Sequence, residues 1–280
     1  MNLLEIGKTI VSNYFYMRSL TRNYGLPVNL NKEESQKVLD ALINDRQMDQ
    51  KFAVVMNIVS FEAEFHMNTE KFMQYKGSFQ ANKFFYSLHP DFIVDYLKYA
   101  RAAYTFVHNN KHLFSPLNQC SRSTIPLKLK DGKYYWVLQE CITFHFDANN
   151  HFISHLNIYT VLRPMEDGEN VSVIGRLYNN GYEVTEWSRM IWKEFFTSHS
   201  FELTPEQHKI VALLNENLTL NNSEIAEMLN KKKNTIDIQN KQILARARVA
   251  FPNQPFDTIK EVVKFIRDIG YFEDGNKLVD

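Results

Sequence analysis

A proline placed one residue inside a capped helix start, Thr204-Pro205-Glu206-Gln207, opens the stretch that most limits what this 280-residue chain can fold into. Threonine satisfies an orphan amide there, proline has none to satisfy, and a glutamine three residues after the cap can close a reciprocal pair. Ile210, Val211, Leu213, Leu214 and Leu218 follow at helical spacing and form one apolar stripe. Thr219-Leu220-Asn221-Asn222, polar at all but one position, breaks it. Ser223 is then expected to cap a second, short helix whose Ile225, Ala226 and Leu229 point one way. Lys231, Lys232 and Lys233 are expected to form a turn, and Asn234 or Thr235 to open a third helix.

On a helical wheel of that third helix, Ile236, Ile243 and Ala247 fall in a narrow arc that must face the other helices. Asp237, Ile238, Lys241, Ala245 and Arg248 fall within about 100° of one another on the other side. A short polar face with two long cations and no bulky cluster suits a helix lying in a major groove. Residues 231–248 carry six basic side chains (Lys231, Lys232, Lys233, Lys241, Arg246, Arg248) against the single acidic Asp237, while the whole chain nets to zero. Phosphate neutralisation needs a local patch of this kind, not a basic protein. Taken alone, a triple lysine describes only a solvated surface.

Leu203-Thr204-Pro205, Ser223-Glu224-Ile225-Ala226, and Thr235-Ile236 followed by Ile243-Leu244 resemble the LuxR-type (FixJ/GerE) helix-turn-helix domain. Ile259, Val262, Val263, Ile266 and Ile269 match its fourth helix, with Gly270 at the expected stop. The likeness covers about seventy residues. It implies major-groove binding, with Asp237, Ile238 and Lys241 nearest the base edges. Lys231, Lys232, Lys233 and Arg248 would hold phosphates, and Asn234 and Thr235 lie at the helix start. It also implies dimerisation through the fourth helix and half-sites about one helical turn apart. The sequence departs from the family at three places. Asp237 replaces a frequent basic residue, Gln239 the customary histidine, and Leu218-Thr219-Leu220 the loop that usually holds glycine. Asp237 repels phosphates but can accept from a cytosine amine.

Upstream, residues 1–50 read as amphipathic helices. Leu3, Leu4, Ile6, Ile10, Val11, Tyr14 and Phe15 line the first, Tyr24-Gly25-Leu26-Pro27 breaks it, and a second follows Asn31 through Val38, Leu39, Leu42 and Ile43. Such stripes serve a dimer contact or pack on the neighbouring domain. From residue 52 the texture changes to β-branched runs. Two strands (52–59, 61–66) and two helices (69–75, 92–104) precede a three-stranded meander at 124–130, 134–146 and 151–162. Asp131-Gly132 and residues 147–150 mark its turns. Alternation puts Trp136, Leu138, Ile142, Phe144 and Phe146 on one face, interrupted by Glu140. Residues 51–164 resemble a PAS domain, through Leu88-His89-Pro90-Asp91, through Lys130-Asp131-Gly132-Lys133 with Tyr134 to Val137, and through the turn at Asp147. That resemblance implies a five-stranded antiparallel sheet with helices over one face, and a sensor or dimerisation role.

No cofactor is expected, although a small ligand of the PAS-like domain stays open. Asn118 to Arg122 is faintly similar to a flavin-domain cysteine motif but lies directly before the meander instead of on an upstream helix. His108 and His112 are four apart but flank Asn109-Asn110, a solvated helix end. His151 and His155 are expected to be exposed beside a turn. Cys120 and Cys141 suit buried thiols and no disulfide framework. Charges at Glu5 and Lys8 come too early for a signal peptide, and no apolar run approaches a membrane span, so a cytoplasmic chain is expected. Residues 165–200 read as a linker with a helix bearing Trp187, Ile191, Trp192, Phe195 and Phe196, a face too apolar to leave in water. Residues 201–280 are expected to form the DNA-binding unit.

The expected class is α+β. The expected function is bacterial transcription regulation by a homodimer on double-stranded DNA, with RNA polymerase a further partner and no membrane. An adaptor whose helical unit grips a protein is the alternative. An enzyme is not expected, since neither a nucleotide-binding glycine loop nor a G-x-S-x-G nucleophile motif is present.

Overall fold

In Phe52-Ala53-Val54-Val55-Met56 every side chain is apolar and every one is buried, the mark of a strand covered on both faces. The computed structural model describes residues 3–25, 27–28, 32–74, 79, 81–169, 171, 175–198, 201, 203–251, 254–268 and 271–272. It divides into two units, Met1–Val184 and Thr185–Asp280. Both helix and antiparallel sheet are present, so the class is α+β.

The first unit begins with α1 (Leu3–Leu20), β1 (Pro27–Val28) and α2 (Lys32–Asn44). Strands β2 (Lys51–Asn57) and β3 (Ala63–Met67) follow, then α3 (Thr69–Phe72), α4 (Ala81–Ser87) and α5 (Ile93–Asn109). The meander is β4 (Gln119–Lys128), β5 (Tyr134–Asp147) and β6 (Phe152–Pro164). Beyond it come β7 (Gly175–Asn179) and β8 (Tyr182–Glu183). All pairings are antiparallel in the order β3-β2-β6-β5-β4-β7-β8, with β1 added to the end of β5.

Both faces of the sheet are covered at β2 and β6. On one side Val38, Leu39 and Leu42 of α2 meet Ala53, Val55, Phe144 and Leu156. On the other, α5 buries Ile93, Leu97, Tyr99, Ala102 and Phe106. Helix α1 lies on α5, where Tyr16 shares a 2.5 Å hydrogen bond with Thr105 and its ring takes the Arg101 guanidinium at 3.8 Å. The N-terminal helices therefore pack on their own unit, although Val11, Tyr14 and Phe15 stay exposed.

Two expectations change here. The alternation through Phe146 does not persist, because register shifts on either side of His145 carry Phe146 onto Phe152, beside Tyr104, while Phe144 stays under α2. The stretch read as a linker contributes β7 and β8, joined by Asn180 and Gly181. Both have positive φ (49° and 82°), as a two-residue hairpin turn with the sheet's twist requires. At the start of β7 a Cβ on Gly175 would lie 2.2 Å from the Tyr99 ring, so only glycine admits that ring.

The second unit comprises α6 (Thr185–Ser198), α7 (Pro205–Glu216), α8 (Asn222–Met228), α9 (Lys233–Ala250) and α10 (Ile259–Asp268). The aromatic face of α6 belongs to this core. Phe196 sits 5.7 Å from Phe251, 4.8 Å from Tyr271 and 5.8 Å from Phe201. Leu218 falls past the end of α7, and Asn31, Ile269 and Gly270 lie outside the described residues.

Candidate nucleic-acid interface

Helix α7 starts as its residues dictate. Thr204 Oγ1 accepts from the Gln207 amide (3.3 Å), and Gln207 Oε1 accepts from the Thr204 amide (3.1 Å). Fully buried Gln207 does more than cap. Its Oε1 also accepts from Arg246 (2.9 Å), and its Nε2 donates to Gln242 (3.2 Å), so one side chain ties the start of α7 to α9.

Helix α8 is capped by Asn221, not Ser223. Asn221 Oδ1 accepts from the Ser223 and Glu224 amides, and Glu224 returns a bond to the Asn221 amide at 2.7 Å. The pattern Asn-x-x-Glu is itself a capping box, and it starts two residues earlier than Ser223. The turn that follows is made by Asn230, not by the lysines. Asn230 has φ 51°, its amide reaches Glu227 O, and the Lys231 amide reaches Ala226 O, which together form a Schellman stop with asparagine in the left-handed position. Lys232 is consequently the N-cap of α9, and Lys233 is already helical, ahead of Asn234 and Thr235.

Helix α9 buries Ile236, Ile243 and Ala247 as expected, together with Asn240 and Ala250. They face a core of Ile210, Val211, Leu214, Ile225, Ala226, Val262, Val263 and Ile266. The opposite side is open: Lys232, Lys233, Asn234, Thr235, Ile238, Lys241, Ala245 and Arg248 are exposed and Asp237 is half-buried. The cations are not equivalent. Among the described residues Lys232, Lys233 and Lys241 have no hydrogen-bond or ion-pair partner. Lys231 pairs with Glu206 at 3.6 Å. Arg248 Nε donates to Phe256 O at 2.8 Å, and its guanidinium lies 3.9 Å from Asp257. Arg248 is thus partly engaged by the loop before α10. Sequence reading missed Gln207 as a brace, Asn230 as the turn and Asn222 as a link to Asp237. The first two carried signals in the glutamine of the capping box and in an asparagine directly after a helix.

In the first unit, a buried polar layer lies between α5 and the sheet. Gln139 donates to Asn157 (3.1 Å) and accepts from Ser123 (3.2 Å), and it shares a 3.1 Å contact with the Tyr96 hydroxyl. Tyr104 bonds His155 at 3.1 Å. Burial raises the Tyr96, Tyr104 and Cys141 groups, pushes Tyr99 up to about 12, and pushes His155 down to about 4. All are therefore uncharged near neutrality. The expectation that His151 and His155 are exposed fails because α5 and the Tyr24 segment cover them: His155 is 8% exposed, and His151 lies against Tyr24. Cys120 stands opposite Ile142 and Cys141 opposite Ser121, which puts the two thiols on opposite faces of the sheet. Burial pushes Cys120 up to about 11.

Ser154, His145 and Glu64 come together without forming a relay. Ser154 Oγ (2.8 Å) and Glu64 Oε2 (3.4 Å) both address His145 Nδ1, whereas a relay needs the serine and the carboxylate on different ring nitrogens. Among the described residues no group of three His, Cys, Asp or Glu side chains is placed to hold a metal, and no helix is long and apolar enough to cross a membrane.

No protein-family model and no curated protein matches the chain. Two solved structures align with most of it: a phage VqmA–DPO complex, 10% identical over 88% of this chain and 94% of that one, with a TM-score of 0.28, and a Vibrio cholera VqmA–ligand–DNA complex, 10% identical over 84% and 88%, with a TM-score of 0.24. Scores this low carry no argument about this chain, and the functional reading stands on its own geometry.

Proposed function

We propose that the chain is a sequence-specific DNA-binding regulator of transcription. It acts as a homodimer whose second unit reads the major groove with α9, while the first, PAS-like unit tunes that binding. The observation that carries this reading is the two-sidedness of α9. Its apolar arc is sealed by α7, α8 and α10, while Lys232, Lys233 and Lys241 present cations on the open side that have no partner among the described residues. A groove-binding helix needs a rigid back and a cationic front. Support for the PAS-like reading comes from the strand order β3-β2-β6-β5-β4, with α3 to α5 inserted between β3 and β4. The uncharged layer under α5 suits a small neutral ligand, whose donors and acceptors would replace the bonds among Gln139, Asn157 and Tyr96. A catalytic role forms no part of this reading.

Retention of random-sequence duplex by the full chain, followed by rounds of selection, tests the proposal. Enrichment of one motif with two-fold symmetry supports it. Absence of retention at about 50 mM salt, where phosphate contacts are strongest, favours the protein-adaptor alternative.

A further inference from the structure

Asn222, the first residue of α8, spans the gap to α9 with both ends of its side chain. Its Nδ2 donates to Asp237 Oδ1 at 2.5 Å, and its Oδ1 accepts from Asn240 Nδ2 at 2.8 Å. The direction of this chain is fixed by chemistry. A carboxylate only accepts, so the atom facing Asp237 must be the amide nitrogen, and Asn240 must then donate to the remaining oxygen. Asn240 is buried, which anchors the far end.

Asp237 has Lys233 and Lys241 four residues away on either side, the spacing at which a carboxylate ordinarily swings to a lysine. Asp237 pairs with neither among the described residues. The Asn222 bond holds it instead, and its second oxygen has no partner there. A carboxylate held on the open side of a groove-binding helix is an acceptor without a donor. Guanine and thymine offer the major groove only acceptors and a methyl group, and adenine sets its N7 acceptor beside its amine. Cytosine offers an amine alone.

We propose that Asn222 is a specificity-determining positioning residue: through its bridge to Asp237 it makes one base pair of each half-site a cytosine selector. This rests on the DNA-binding reading given above.

The test uses the full chain and the duplex recovered by selection, with all four base pairs placed in turn at every position and competed against one another. Wild type should prefer cytosine at one position per half-site by roughly five- to 150-fold. Asp237→Ala should erase that preference at that position alone. Asp237→Asn should move it toward adenine, because an amide matches the adjacent amine and N7. Asn222→Ala should reduce the cytosine preference several-fold with the salt dependence of binding unchanged; its thermal midpoint should fall, because buried Asn240 loses its acceptor, while affinity for the other three base pairs at that position holds. Asn222→Ser, which keeps a polar helix start but shortens the reach, serves if Asn222→Ala does not fold. An undiminished cytosine preference in the Asn222 variants overturns the proposal. So does equal weakening on all sequences, which would make the bridge a structural brace. Failure of wild type to enrich any sequence removes the DNA reading itself, a result distinct from either.

Discussion

Tyr24 lies flat against His151, with ring centroids 4.5 Å apart and planes within 5° of parallel. His108 lies nearly parallel at the hydroxyl end of the Tyr24 ring, 5.8 Å from it and 6.4 Å from His151 between centroids, and its Nδ1 shares a 2.7 Å hydrogen bond with the Tyr24 hydroxyl. Burial and the charge of Asp147 push the Tyr24 hydroxyl up to about 12, which keeps it protonated. Asp147 accepts from the Gly25 amide at 2.8 Å and from His151 Nδ1 at 2.8 Å. One tyrosine thus fastens the chain after α1 to the end of α5 and to the β5–β6 turn. Tyr24→Phe should lower the stability of this unit by about 1 kcal/mol, the usual worth of a single hydrogen bond. Tyr24→Ala should lower it by about 2–3 kcal/mol, since the stacking goes too. Hydrogen exchange should show the loss first in α1.

Stability of the first unit should fall on mild acidification, and His155 sets the window. Its ordinary value is 6.5, and burial brings it to about 4 in the folded chain. The unfolded chain therefore binds a proton that the folded chain refuses between those limits. The stabilisation is complete above pH 6.5 and drains away as pH falls toward 4. Its full size is on the order of 3 kcal/mol. Burial, with His151 and Lys111 nearby, also lowers His108, which adds to the same slope. Urea unfolding of wild type and His155→Gln from pH 4.5 to 7.5 checks this, and the variant's profile should be flatter.

Gly175→Ala should lower stability by about 1–3 kcal/mol, the range of overpacking. The new methyl would lie 2.2 Å from both the Tyr99 Cζ and its hydroxyl oxygen, so one of the two must move. Adding Tyr99→Leu should make the two changes cost less than their sum. A double-mutant cycle by chemical denaturation reads that coupling.

At the start of α8, Asn221 and Ser223 separate a capping side chain from a bystander. Asn221→Ala should reduce stability of the second unit by about 1 kcal/mol, and Ser223→Ala by a few tenths. Thermal midpoints of the two variants, measured side by side, decide it.

Much of this fold was legible in the chain because its signals are local. The box at Thr204 and Gln207, the arc of Ile236, Ile243 and Ala247, and the Asp131-Gly132 turn each follow from neighbours within a few residues. The Asn221 cap was just as local, but a serine two positions on competed with it. What escaped sequence reading depends on contacts across the fold. Strand β7, one in from the edge, is short, and its place is set by pairing with β4, more than fifty residues earlier. The flip at Phe146 comes from a bulge that no alternation pattern announces. Burial of His155 depends on α5 lying across the sheet, and the partner of Asp237 lies fifteen residues back on another helix.

Salt dependence of duplex binding tests the central claim most directly, measured on one selected duplex for wild type and for Lys232→Ala. A lysine exposed at the N-cap of a groove-binding helix, with no partner among the described residues, should contact one phosphate. Binding should therefore weaken steeply with salt, and Lys232→Ala should weaken it on every sequence and flatten the slope of log K against log salt by about one unit. An unchanged slope in the variant would contradict the assignment of Lys232, and no measurable binding by wild type at low salt would contradict the account as a whole.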